Sequence, residues 1–587
     1  MTKTAPKLKK EPKDEPQSFA KSLFLGILQE DMVFPFPEPK EEKETLSIIL
    51  ENLRKFAKDQ IDPKKIDQEG KISKELLLAL GELGIFGLLI PEKFGGLGLS
   101  QFAYARVFEE MGAIDGSLAT TLGAHMSIGL KGLLLYGTED QKQRYLPKLA
   151  SGKCLAAFAL TEPGAGSDAY SIQTRAVLQS DGSYLLNGSK IWITNGGIAD
   201  FFTVFAKTEI ESKGEKKDKV TAFIVTRDMT GFSSGKEEHK LGIRGSSTTE
   251  ISFVNVKVPP ENVLGEPGKG FKMAMEILNS GRLGLATGSV GGAKKLLRLA
   301  VSHATQRKQF GKAIAEFGLI QEKLGQMMID IYATESAAYL TCGLVDQGVP
   351  DYSIESAICK VAGSEMLWQV ANEATQIAGG ASYMREYPYE QMLRDSRINM
   401  IFEGTNEILR CFVALSGMKG IGENLKLVGK ALNDPIKSLG VLYDYFVTQK
   451  ITRSLYGDQF TKAHPELKRE TSMIEEHVQE LLLTVEKAIR KHQKHIWEKQ
   501  FVQKRIAEVA IDLYRMIAVV SRVTKVIEEK GKEKAESDIA IARTFCVQAS
   551  RRIGRNFRDM DRNVDEYLKD LAKRACQGGG YTSDLFS

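Results

Sequence analysis

Cysteine is scarce and scattered: six residues in 587 (Cys154, Cys342, Cys359, Cys411, Cys546 and Cys576), with no CxxC pair. That argues against a disulfide framework or a zinc site and makes a reducing compartment the default. Histidine is equally sparse, at seven. His492 and His495 sit in a Lys-rich helical stretch, where a solvated face explains them better than a metal site, so no metal is expected. Charge of either sign is nearly balanced, 80 Lys and Arg against 75 Asp and Glu, a net +5. A nucleic-acid partner would leave a stronger basic footprint. No apolar run approaches the roughly 20 residues that span a bilayer. No arginine precedes Arg54, and residues 1–17 mix five lysines with Glu11, Asp14 and Glu15. An Arg-rich, acid-poor transit peptide looks different, and the stretch reads as a disordered tail. The final Asp-Leu-Phe-Ser is not a peroxisomal address.

What is present suits a soluble, multidomain protein of about three or four domains. Phe19, Leu23 and Ile27 keep helical spacing until the proline cluster at 33–39. From about 43 to 150 the pattern is mostly helical, with Leu76, Leu77, Leu80 and Leu83 on one stripe. Between 156 and 260, short β-rich runs such as YLLNGSKIWIT and TAFIV alternate with Gly/Asp/Ser turns, the mark of an antiparallel β-domain. Helical periodicity returns from 270 to about 415, and a charge-richer helical block follows. The expected class is α+β. Its parts are a tail and lead-in over 1–42, a helical domain over 43–155 and a β-domain over 156–269. A helical domain over 270–418 and an extra helical domain over 419–587 complete it.

Three stretches carry chemistry. In ALTEPGAGSD (159–168), Gly164 and Gly166 permit positive φ, and Thr161 and Ser167 add hydroxyls. Exposed N–H groups in such a turn attract phosphate oxygens, although taken alone it is also an ordinary loop. In KIWITNGG (190–197), Trp192 is either core packing or a surface for a flat ring, with Thr194 projecting to the same strand face. In MIFEGTNEI (400–408), Glu403 lies between an apolar run and a helix start capped by Thr405 or Asn406. Apolar surroundings raise a carboxyl pKa and the helix N-terminus lowers it, so Glu403 is either a tuned base or a plain first-turn glutamate. Arg307 and Phe310 in RKQFGK, and the glycines of QIAGGASY (376–383), are a phosphate contact and a Gly turn, or simply helix ends.

With these five motifs in order and register, the chain resembles the acyl-CoA dehydrogenase family across its length, and its extra C-terminal block resembles the very-long-chain branch. The resemblance implies FAD as cofactor. Phe158, Leu160, Thr161, Gly166 and Ser167 would line it, and Trp192, Ile193 and Thr194 would flank its isoalloxazine. Arg307 and Phe310, with Gln376, Ile377, Gly379 and Gly380, would reach it across a homodimer interface. Thr405, Asn406 and Glu407 would sit beside it. Asn279, Ser280, Gly281, Arg282, Gly404 and again Ser167 would meet a long-chain acyl-CoA. Glu403 would take the α-proton while its own N–H holds the thioester oxygen. Electrons would pass to an electron-transferring flavoprotein.

Gly318 stands where many relatives have glutamine, Ser382 replaces a glycine, and Gln391 replaces a basic residue. An oxygen-using acyl-CoA oxidase and a non-catalytic respiratory-complex assembly factor are the competing readings. Gly123, Ala124 and Gly129 are small enough either to admit a long acyl chain or to pack helices closely. In 437–455, Leu439, Leu442, Tyr443, Phe446, Val447, Ile451 and Leu455 form a stripe beside basic residues, suited to a membrane surface or to a core. The expected place is the cytoplasm of a bacterium, with membrane association, or else the matrix side of the mitochondrial inner membrane.

Overall fold

The computed structural model describes residues 18–39, 41–212, 214–433 and 459–585. They divide into two compact units, one essentially 31–409, the other 19–30 with 410 onward.

The larger unit begins with α2 (Lys43–Gln60), α3 (Pro63–Glu69) and α4 (Lys74–Glu82), α1 (Phe19–Phe24) belonging to the other unit. It continues through α5 (Gln101–Ile114), α6 (Gly116–Gly123), a π-turn (Ala124–Gly129), α7 (Lys131–Tyr136) and α8 (Glu139–Ala150). Side-chain caps set these helix starts. Ser73, Ser100 and Asp115 accept from Leu76, Ala103 and Leu118 N–H, and Thr138 with Gln141 closes a capping box. The stretch Gly116–Tyr136 is long and apolar enough to cross a membrane by composition, contrary to the sequence reading. It is mostly buried inside the unit and broken by the π-turn, so here it serves as core.

The sheet follows: β1 (Ala156–Ala159), β2 (Arg175–Leu178), β3 (Tyr184–Thr194), β4 (Phe201–Ser212), β5 (Glu215–Thr226), β6 (Phe232–Glu237), β7 (Thr248–Val258) and β8 (Val263–Leu264). Its order is β6-β7-β3-β2-β4-β5-β8, with β1 also on β4. Pairing is antiparallel except that β1 and β2 each meet β4 in parallel. Around β4 and β5, where successive residues point to opposite sides, helices cover both faces of the sheet. Leu118, Leu122 and Met126 share a core with Ile193, Phe202, Val225 and Ile251, while Leu130 and Leu133 share another with Phe201, Phe205 and Ile277.

A second helical layer contains α9 (Gly270–Gln306), α10 (Gly318–Asp346), α11 (Ser353–Ala378), α12 (Tyr389–Ser396) and the start of α13 (Asn406–Asn433). Helix α9 packs on α5, α10 and α11. Glycines let it come close to α5, since a Cβ at Gly291 would strike the Glu109 carbonyl.

The second unit holds α1, α14 (Lys468–His492), α15 (Gln500–Lys530), α16 (Glu536–Asp559) and α17 (Asp565–Gln577), with the rest of α13. Ile474, Val478, Leu481 and Val485 form the buried stripe of α14. The Phe19 and Tyr514 rings lie 6.2 Å apart, tying α1 into this unit. The apolar stripe of 437–455 lies wholly within 434–458, outside the described residues.

Candidate active site

The loop after β1 and the end of β3 are built as one piece. Lys190 is fully buried and donates to Glu162 Oε1 at 2.7 Å and to the Leu160 carbonyl at 3.1 Å. Glu162 also accepts from Gln173 and Thr174 N–H, and burial and the pair's mutual attraction oppose each other in its lowered pKa. The Ile191 N–H donates to the Thr161 carbonyl at 3.0 Å. The first two sequence motifs are therefore hydrogen-bonded to each other. The Glu162–Lys190 pair was missed in the sequence, although a lysine between the apolar residues of KIWIT was its signal.

Gly164 and Gly166 lie exposed, and a Cβ at either would meet nothing within 4 Å beyond its chain neighbours, which leaves an open surface beside Ser167. Neither has a positive φ, so the backbone freedom expected of them is not used. Phe158 leans on Phe205 with centroids 5.0 Å apart, and Leu160 is buried, so these two brace the loop from behind.

Trp192 is not core. It is 61% exposed at φ +56°, a conformation that bulky residues rarely adopt. A register shift between Lys190 and Ile193 accompanies it, so Ile193 is buried and Thr194 half-buried beside an outward indole. Asn195, also at positive φ, is buried and donates to the Thr121 and Ala156 carbonyls, pinning the strand end. Strain so held is a pointer to function.

Glu403 and Gly404 both have positive φ, +57° and +95°. Arg282 Nε donates to the Glu403 carbonyl at 3.2 Å, and Lys360 Nζ to the Gly404 carbonyl at 2.8 Å. Thr405 Oγ1 accepts from Ile408 N–H, which settles the helix cap. Asn406 instead turns inward, accepting from Lys360 and donating to Ser364 and Glu365. It is buried, whereas Glu407 is exposed.

The Glu403 residue is half-buried, but its Oε2 is sealed from solvent and has no hydrogen-bond partner. Burial pushes its pKa up to about 7 against the opposing pull of Arg282 and Lys360. A Cβ at Gly281 would stand 2.6 Å from Oε1 and 2.7 Å from Ile128 Cγ2, so only glycine lets the carboxyl lie against α9. The fully buried Tyr104 hydroxyl lies over Gly284, one turn along α9. No acceptor takes the Glu403 N–H among the described residues.

Asn279, Ser280 and Arg282 are buried beside this carboxyl rather than displayed. Arg282 donates to Asn279 Oδ1 at 3.0 Å, and Ser280 shares a hydrogen bond with the Tyr352 hydroxyl. They frame the pocket. Gly129 is small because a Cβ would fall 2.8 Å from Ala156 Cβ on β1, so close packing explains it and a channel does not.

Arg307 ends α9, and Phe310, 94% exposed at φ +51°, tips the small hairpin that follows. Gly379 at φ +62° ends α11 with Gly380 open beyond it, after Gln376 and the buried Ile377. Ser382 replaces glycine usefully, its hydroxyl donating to the Thr375 and Gly379 carbonyls. Gly318 opens α10 with free space around it, and Gln391 donates to the Pro63 carbonyl. Among the described residues no hydrogen bond or ring contact joins Arg307, Phe310 or 376–380 to the 158–167 loop or to Trp192.

Residues 43–153, 157–256 and 268–417 match the acyl-CoA dehydrogenase N-terminal, middle and C-terminal domains. Residues 465–581 match the ACAD9/ACADV C-terminal domain. The very long-chain specific acyl-CoA dehydrogenase, mitochondrial, of Rattus norvegicus is 45% identical over 96% of this chain and 88% of that protein. The chain belongs to the acyl-CoA dehydrogenase family. A crystal structure of a Bacillus anthracis acyl-CoA dehydrogenase complexed with FAD is similar at TM-score 0.79 and 35% identity, covering 94% of each chain. Butyryl-CoA dehydrogenase from Megasphaera elsdenii, at TM-score 0.60 and 40% identity, covers 63% of this chain and 97% of its own. Among acyl-CoA dehydrogenases, that shorter relative lacks a counterpart to about a third of this sequence.

Proposed function

We propose that this chain is an FAD-dependent dehydrogenase that converts long-chain acyl-CoA to the trans-2-enoyl-CoA, with Glu403 as the base. The observation that carries the reading is the sealed, unpartnered Glu403 carboxyl oxygen set against Gly281 on α9. The residues present fit the cofactor. An outward Trp192 offers a flat face, and the open turn at Gly164–Ser167 leaves space for a phosphate-bearing group. When bound, FAD supplies the acceptor for the hydride that leaves the substrate Cβ.

The protein's own part is proton chemistry. The α-proton of a thioester becomes removable when negative charge can move onto the carbonyl oxygen, which needs an aimed donor. The uncommitted Glu403 N–H fills that role beside the carboxyl that takes the proton. A carboxyl with pKa about 7 is ionised enough at neutral pH to accept a proton and basic enough to hold it. Ser167, exposed beside the cradle, is proposed to touch substrate and cofactor both.

Four further readings belong here. Arg307, Phe310 and 376–380 complete the cofactor site of a second copy, which makes the active form a two-fold dimer; the 94% exposure of Phe310, whose ring meets only Phe317 edge-on among the described ring contacts, supports this. An electron-transferring flavoprotein receives the electrons. The mitochondrial names of relatives such as the rat and human proteins favour the mitochondrial location. Membrane association through 437–455 rests on its sequence stripe alone. The test of the function is Glu403→Gln: bound flavin and substrate affinity stay, and turnover falls by about 10²–10⁴-fold. Near-normal turnover refutes Glu403 as base.

A further inference from the structure

We infer that Lys360 is a positioning residue for this base, locking the Glu403–Gly404 turn through the Gly404 carbonyl and keeping a positive charge behind the carboxyl. The inference rests on the reading of Glu403 above.

Lys360 lies on α11 within AICKVAG, the sole charge in an apolar run, and its side chain is fully buried. Enclosing an ammonium without compensation is costly, so a lysine here needs partners. Both of its bonds go to the segment that follows the base: the Gly404 carbonyl and Asn406 Oδ1, each at 2.8 Å. Asn406 is fixed in turn by Ser364 and Glu365, one turn further along α11. With Arg282 on the Glu403 carbonyl, two cations from two helices hold the carbonyls of two consecutive left-handed residues. Left-handed backbone at a glutamate is unfavourable and persists only where the surroundings impose it.

The groups facing Lys360 are Arg282 from α9, Glu365 on its own helix, and Glu403 and Glu407 on either side of the α13 start. Glu403 faces Arg282, Lys360 and the Tyr104 hydroxyl from α5. Lys360 therefore does two separable things. Its N–H donors hold the turn that aims the carboxyl. Its charge favours the ionised, proton-accepting form as long as the ammonium keeps its proton, and burial pulls that pKa down to about 7.

The test uses FAD-loaded Lys360→Met and Lys360→Gln. Flavin reduction by palmitoyl-CoA is followed anaerobically in single turnovers from pH 6 to 9, with rates taken per bound flavin. Removing the charge is expected to move the rising limb of the rate up in both variants, the difference from the parent being largest below about pH 7 and fading above it as the parent's own ammonium loses its proton. Met, lacking a donor, also lowers the high-pH plateau by about tenfold or more, and Gln lowers it less. A limb unmoved in both variants overturns the inference, as does failure of both to bind any flavin, which would make Lys360 a folding residue. Glu403→Gln is run beside them. If that variant is inactive and the limb is unmoved, only the role of Lys360 falls; if it reduces flavin normally, the reading of Glu403 falls.

Discussion

Gly281 and Glu403 are 122 positions apart in sequence and face each other in the fold, and the missing side chain of one makes room for the carboxyl of the other. Gly281→Ala is expected to retain FAD and thermal stability while flavin reduction by acyl-CoA slows about 10²-fold. A displacement near 1 Å of a reacting group has that scale of effect. A second residue-scale expectation concerns the Glu162–Lys190 pair, where both side chains are almost wholly enclosed. Lys190→Met leaves Glu162 charged and unmatched and is expected to destabilise the fold by about 3–5 kcal/mol, with early loss of flavin on heating. Calorimetry of the holoprotein reads both effects. Glu403 was legible in the sequence because a lone carboxylate stood between an apolar run and a cap. Lys190 and Lys360 were not singled out, since a buried lysine is recognisable only when its partners, distant in sequence, are placed around it.

Whole elements were easier to read than their irregularities. The helical, β and helical succession follows from periodicity, and Ser, Thr and Asp caps mark where helices begin. The kink at Trp192 does not follow, because strand alternation cannot foretell a bulge that reverses one residue. The close seat of Gly129 on β1 was equally hidden, since a small residue suits a channel and a tight crossing alike. The junction of α6, α12 and the 239–247 loop holds one more hidden feature. Asp395 accepts from Ile243 N–H and lies against Gly116, while the neighbouring Asp115 caps α6 and has one oxygen unpartnered.

Burial first and then the Asp115 charge push the Asp395 pKa from 3.8 up to about 7. Its folded value lies above its unfolded one, so the native state keeps a proton that the unfolded chain has lost between about pH 4 and 7. This contribution to stability is thus present at the acid end and fades as pH rises through that window. Asp395→Asn is expected to flatten this part of the slope and raise Tm at pH 8 relative to the parent. Melts across pH 5–8 with an unchanged slope would show that Asp395 is ionised throughout.

At the scale of the molecule, the unit of residues 31–409 carries a family fold with its base, and the other unit includes the stretch 465–581 that matches the ACAD9/ACADV C-terminal domain. If the active form is a two-fold dimer, Arg307→Glu should shed FAD before it loses its fold, seen as a fall in the flavin-to-protein ratio at an unchanged circular dichroism spectrum. Phe446→Glu with Ile451→Glu should weaken flotation with anionic vesicles if 437–455 meets a membrane. Anaerobic titration of the FAD-loaded protein with acyl-CoA of graded length bears most directly on the chemistry, with Glu403→Gln titrated beside it. Palmitoyl-CoA should bleach the flavin of the parent at one equivalent per site and leave that of Glu403→Gln yellow though substrate is bound. A parent whose flavin stays oxidised with every chain length, or a variant that bleaches as fast as the parent, would contradict dehydrogenation by this site.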